Sequence, residues 1–108
     1  MVITFMDQLP RNYLIKHGEV YTFRRNKRKR TGKTWAAKGR GKPKFADVHI
    51  TLIEVIERLP ELKPFVNKSG FASFEDWINA IDVLNPRLIN SNNAKDPWGF
   101  LYYVRVRK

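Results

Sequence analysis

FADVHITLIEVIE, residues 45–57, is the run on which the fold turns. Val48, Ile50 and Leu52 alternate with His49 and Thr51, the period of a strand with one buried face. Ile53 and Val55 then take up the other parity. A strand whose apolar residues change parity midway needs a bulge or a sharp coil, and barrels use both to curl their sheets.

The flanking sequence supplies partners for such a strand. Val2-Ile3-Thr4-Phe5-Met6 and Val20-Tyr21-Thr22-Phe23 are β-rich, and Thr34-Trp35-Ala36-Ala37 suits a short strand. At the end of the chain Phe100, Tyr102, Val104 and Val106 share one face of a strand, and Leu101, Tyr103, Arg105 and Arg107 the other. A short helix is expected over 10–17, with Pro10 in its first turn and Gly18 as its C-terminal cap. A second begins after Ser73, whose hydroxyl suits the first-turn amides, with Glu75 and Asp76 at the positive end of the helix. Phe74, Trp77, Ile78, Ile81 and Leu84 fall on one face of it. Asn85-Pro86 is its stop. Residues 59–64 read as a turn-rich connector with Pro60 and Pro64, and 87–97 as a polar surface loop. The order of elements predicts an α+β domain around a curved sheet or small barrel, with two short helices.

With 108 residues, one domain is expected over 1–108. No cysteine is present, which excludes disulfides and thiolate chemistry and fits a reducing compartment. The N-terminus lacks the basic and apolar regions of a secretory signal, and no apolar run approaches ~18 residues. A cytoplasmic location and no membrane partner are therefore expected. Asn67-Lys68-Ser69 matches a glycosylation acceptor, read as chance without an export signal.

Charge is the most informative part of the composition. The chain carries 21 Lys plus Arg against 10 Asp plus Glu, a net +11. Residues 24–44, RRNKRKRTGKTWAAKGRGKPK, hold eleven of those cations and no acid, so the remainder of the chain is balanced. Six of the seven residues at 24–30 are cationic, and adjacent like charges repel unless ions or a partner screen them. A dense Lys/Arg segment gains affinity for a phosphate chain by releasing its condensed counterions. The plainer reading is a solvated loop that aids solubility, and a nuclear-localisation peptide has a similar composition. A localised excess on a balanced body favours a local polyanionic partner.

Tyr21, Phe23 and Trp35 are interleaved with these charges. Exposed rings stack on unpaired bases. Tyr21 and Phe23 share a strand face and belong together in a core, whereas Trp35 suits either role. Phe71 and Trp77 suit a pocket wall, with core anchors of the second helix the preferred reading. Arg105, Arg107 and Lys108 extend the positive surface if the last strand lies beside the segment. Gly32-Lys33-Thr34 lacks the earlier glycine of a P-loop, since Lys27 stands in its place. His17 and His49 are too few for a zinc site.

Taken together, the stretches GEVYTFRR (18–25), TGKTW (31–35), ADVHITLIEVI (46–56) and SGFASFEDW (69–77) resemble an ASCH domain (activating-signal-cointegrator homology) of the PUA-like group. The resemblance covers nearly the whole chain. It implies a small PUA-like β-barrel with two flanking helices and a role in binding RNA. Some members act as amidohydrolases on acetylated cytidine, with a lysine two residues after the glycine, a threonine soon after and a glutamate near the second helix. Counted from Gly18, those first two positions hold Val20 and Phe23, or with a one-residue gap Glu19 and Thr22. The lysine is missing either way. Ser69-Gly70-Phe71 offers no glutamate, and Glu75 and Asp76 are already placed by the helix cap. The motif's arginine survives as Arg24 or Arg25. No catalytic residue, cofactor or metal ligand is therefore assigned, and the balance leans against an enzyme.

The expected function is RNA binding through 24–44. Arg24 and Arg25 would be held rigidly at a strand end. Lys27, Arg28, Lys29, Arg30, Lys33, Lys38, Arg40, Lys42 and Lys44 would track the backbone, and Trp35 would be available to a base. Glu19, Thr22 and Arg24 are expected to line a pocket. RNA is preferred to DNA on the resemblance alone, since charge does not separate them. The alternatives are a nucleoside-acting amidohydrolase or related enzyme, and a protein-interaction module in an RNA-associated assembly. A monomer is favoured.

Overall fold

The structure, a computed structural model, describes residues 2–5, 7–25, 27–84 and 99–107. The Asn85-Pro86 stop, the polar loop at 87–97, Met6 and Lys108 lie outside them, as does the side chain of Leu84. In chain order the elements are β1 (Ile3–Thr4), α1 (Gln8–His17), β2 (Glu19–Arg24), β3 (Gly32–Ala37) and β4 (Lys44–Ile56). A 3₁₀ helix (Leu59–Lys68), α2 (Phe74–Leu84) and β5 (Gly99–Val106) follow.

The five strands form one curled, half-barrel sheet in the order β1-β3-β4-β5-β2. Only β1 and β3 run parallel; the other pairs are antiparallel. Strand β4 is long because its two halves serve different neighbours. Its first half pairs with β3, from Lys44 opposite Ala37 to Ile50 opposite Gly32. Its second half continues along β5, from Val48 opposite Val106 to Ile56 opposite Gly99. Strands offset in this way are what a curling sheet requires. The expected change of face is a register shift: Leu52 lies opposite Tyr102 and Glu54 opposite Leu101, so Ile53 is the extra residue.

The bulge lets both faces of the sheet be covered. On the α1 face, Val20, Val48, Ile50, Tyr102 and Val104 pack with Ile3, Phe5 and Leu14. On the α2 face, Phe23, Ile56 and Leu101 pack with Leu62, Trp77 and Ile81. Leu101 and Tyr102 are neighbours in sequence and are both fully buried, on opposite faces. Tyr21 and Phe23 belong to the α2-face core, as their shared parity implies.

The helices begin and end where their side chains satisfy orphan backbone groups. Asp7 Oδ1 accepts the Leu9 N–H at 2.9 Å, and Gly18 (φ +76°) donates its N–H to the Leu14 carbonyl at 2.8 Å. Ser73 Oγ accepts the Asp76 N–H at 3.1 Å. The stretch read as a connector is instead the 3₁₀ helix. Pro60 and Pro64 have no N–H to donate, which disfavours a continuous α-helical ladder. Glu61 accepts the Arg58 N–H at 2.9 Å at its start. At its far end Gly70 (φ +92°) lies so close to α1 that a Cβ there would sit 2.7 Å from Pro10 Cα. This contact joins the connector to the first turn of α1. No helix among the described residues is long and apolar enough to cross a membrane.

Candidate nucleic-acid interface

The half-barrel leaves a gap between its two edge strands, β1 and β2. A cavity of about 210 Å³ occupies it. Thr4 and Phe5 from the β1 side, with Asp7 and Pro10, form one wall; Tyr21, Thr22, Phe23, Arg24 and Arg25 form the other. Ser69, Phe71, Trp77, Ala80 and Ile81 close it from the α2 side. The rings of Phe71 and Trp77 stack nearly parallel at 6.4 Å. Small-molecule pockets are usually ~300–1,000 Å³, so this one suits a single base or small anion rather than a larger ligand.

Arg24 is the most deeply set of the charged groups lining this cavity, the others being Asp7 and Arg25. It ends β2, the edge strand, and its side chain turns back along the wall. Its Nε donates to Thr22 Oγ1 at 3.2 Å, and its guanidinium lies 5.1 Å from the centroid of the Phe5 ring. Burial lowers its pKa from the ordinary guanidinium range to about 10, with the Arg28 charge acting in the same direction and Tyr102 opposing it. Even so, the group is a cation at neutral pH. The ion pairs between described residues are Lys44–Asp47 and Lys68–Glu19, and neither involves Arg24. A desolvated cation against an aromatic ring, with no carboxylate pairing among the described residues, is electrostatically suited to an anionic ligand.

Arg24 and Arg25 are the members of the basic segment in the cavity lining, and two further arms of it adjoin the strands that form the walls. The first continues from Arg25 into the turn at 27–31. Lys27, Lys29 and Arg30 are exposed there. Arg28 differs: its backbone N–H donates to the hydroxyl of the fully buried Tyr102 at 2.7 Å, and its side chain is half-buried, which lowers its pKa. Arg28 therefore anchors the turn to the core. Tyr102→Phe removes that acceptor and is expected to cost ~1–2 kcal/mol, lowering the thermal midpoint by roughly 5–10 °C. Faster amide exchange at Arg28 would accompany it; an unchanged midpoint and exchange rate would contradict the anchoring.

The second arm is the turn between β3 and β4. Ala37 accepts the Phe5 N–H at 2.8 Å, which sets the following Lys38 beside the β1 wall. Lys38, Arg40 and Lys42 are exposed. Lys44 pairs with a carboxylate, Asp47 at 3.2 Å, and that pair is itself exposed.

The expected pocket trio separates. Thr22 and Arg24 face the cavity together, but Glu19 does not. It lies at the other end of β2, five residues or roughly 17 Å away, and its Oε1 accepts from Lys68 Nζ at 2.6 Å. Lys68 is held protonated more firmly by that bond and by the Glu19 charge. Among the described residues, the carboxylate that lines the cavity is Asp7, already engaged as the α1 cap. The segment is also not one surface. Lys33 and Trp35 lie opposite His49 and Asp47 on the α2 face, away from the cavity, with Trp35 43% exposed.

Compared with protein-family models, curated proteins and solved structures, the chain has no match.

Proposed function

We propose that this protein is an RNA-binding domain of the PUA-like, ASCH type. It holds single-stranded RNA by its phosphates along the basic segment, with one unpaired base or phosphate at the Arg24 cavity. The observation that carries the reading is Arg24 itself: a largely buried guanidinium over the Phe5 ring, at the end of β2, from which the chain runs on into a turn where Lys27, Lys29 and Arg30 are exposed. Burying a charge without a counter-ion costs folding energy, and a phosphate or a base edge would offset that cost. The aromatic walls suit the flat face of a base, and the small volume suits one base or one phosphate. A guanidinium fork fits phosphate and base acceptors alike.

An anisotropy titration with a labelled single-stranded RNA dodecanucleotide tests this. Saturable binding in the micromolar range or tighter is expected at low salt. Absence of binding up to ~100 µM, the weak limit of non-specific nucleic-acid affinity, would overturn it. Matched DNA separates the RNA preference from simple charge attraction.

A further inference from the structure

We infer that an open groove on the other side of the molecule holds a second stretch of the same RNA backbone. The inference rests on the RNA reading above. The groove, about 830 Å³, is lined by the C-terminal end of α1 and by residues of β3, β4 and the end of β5. Its basic lining is Lys16, His17, Lys33, His49, Arg105 and Arg107, and among the described residues no carboxylate lines it.

Strand register creates the centre of this groove. Lys33 lies directly opposite His49, and His49 directly opposite Arg105. Neighbouring strands are ~4.8 Å apart, so three basic side chains stand in a row across β3, β4 and β5. Lys33 and Arg105 flank His49 in this row, about 9.6 Å apart, two cations facing the same side of the sheet. The acids nearest in register are already engaged. Glu19, opposite Arg105, bonds Lys68, and Asp47, opposite Trp35, pairs with Lys44. A phosphate chain lying across the row would meet both cations, with the imidazole between them as a hydrogen-bonding group. Trp35, two residues along β3 from Lys33 on the same face and exposed, offers a stacking surface beside it.

Length makes the inference testable. Glu19 marks the groove end of β2 and Arg24 the cavity end, roughly 17 Å apart, or about five steps of a stacked strand. A tetranucleotide is too short to occupy both places; a dodecanucleotide is long enough. At about 0.15 M salt, Arg105→Ser with Arg107→Ser should weaken dodecanucleotide binding ~15-fold and flatten its salt slope by about 1.4. Lys33→Ser, on a different strand, should weaken it ~4-fold. Tetranucleotide affinity should stay within about twofold, which also reports an intact cavity and fold. If these variants bind the dodecanucleotide as the parent does, the groove is not used and the RNA reading stands. If the tetranucleotide loses as much as the dodecanucleotide, the groove is the primary site and a second stretch is ruled out. If the parent binds neither, the RNA reading fails and this inference with it.

Discussion

Arg24→Met is expected to stabilise the ligand-free protein while weakening its hold on RNA at least tenfold. The folded-state pKa of Arg24 is lowered from the ordinary guanidinium range to about 10, chiefly by burial. For a base, that direction means the charged form is penalised on folding. The penalty is present in full below about pH 10, neutral pH included, and is relieved only as pH rises from there towards the unfolded value. At ~1.4 kcal/mol per pKa unit the shift corresponds to about 3 kcal/mol. The stacking of the guanidinium on Phe5 offsets about 1 kcal/mol of it. Methionine fills a similar volume without charge, so a net gain of ~1–2 kcal/mol follows. That raises the thermal midpoint by roughly 4–8 °C per kcal/mol in a domain of this size. A midpoint that falls by several degrees would show that Arg24 holds the fold together rather than waiting for an anion.

The second large effect concerns the exposed turn. Replacing Lys27, Lys29 and Arg30 together with serine should weaken RNA binding about 50-fold at about 0.15 M salt, each lost phosphate contact removing ~0.7 of a released counterion. Arg28 is left in place because its amide is bonded to Tyr102 and its side chain is half-buried. The three substituted side chains are exposed, so thermal stability should change little, or rise slightly as repulsion is relieved. A variant that binds as the parent does would move the phosphate path away from this turn.

Much of the scaffold was legible in residues 45–57. The change of parity at Ile53 is local, and the bulge it implies curls the sheet. The Gly18 cap, the Ser73 cap and the apolar face of Trp77 and Ile81 are equally local, and each stands where the spacing puts it. What the sequence hid depends on distant elements meeting. The cavity exists because β1 and β2, the outer strands of one sheet, approach each other, and no pattern within either strand encodes that. Glu19 and Arg24 share one short strand, yet which of them reaches the cavity depends on where α1 and α2 close it. Lys33 and Trp35 alternate with Thr34 and Ala36, so a basic run that looks continuous in sequence is divided between faces by the period of a strand. Asp7 carried no signal beyond that of a helix cap.

The central claim is that the basic segment is poised to exchange small ions for phosphates. The salt dependence of dodecanucleotide binding to the unaltered protein tests it most directly. Engagement of about five phosphates gives a log–log slope near −3.5. A slope indistinguishable from zero, with binding intact, would mean that phosphates are not what these cations hold.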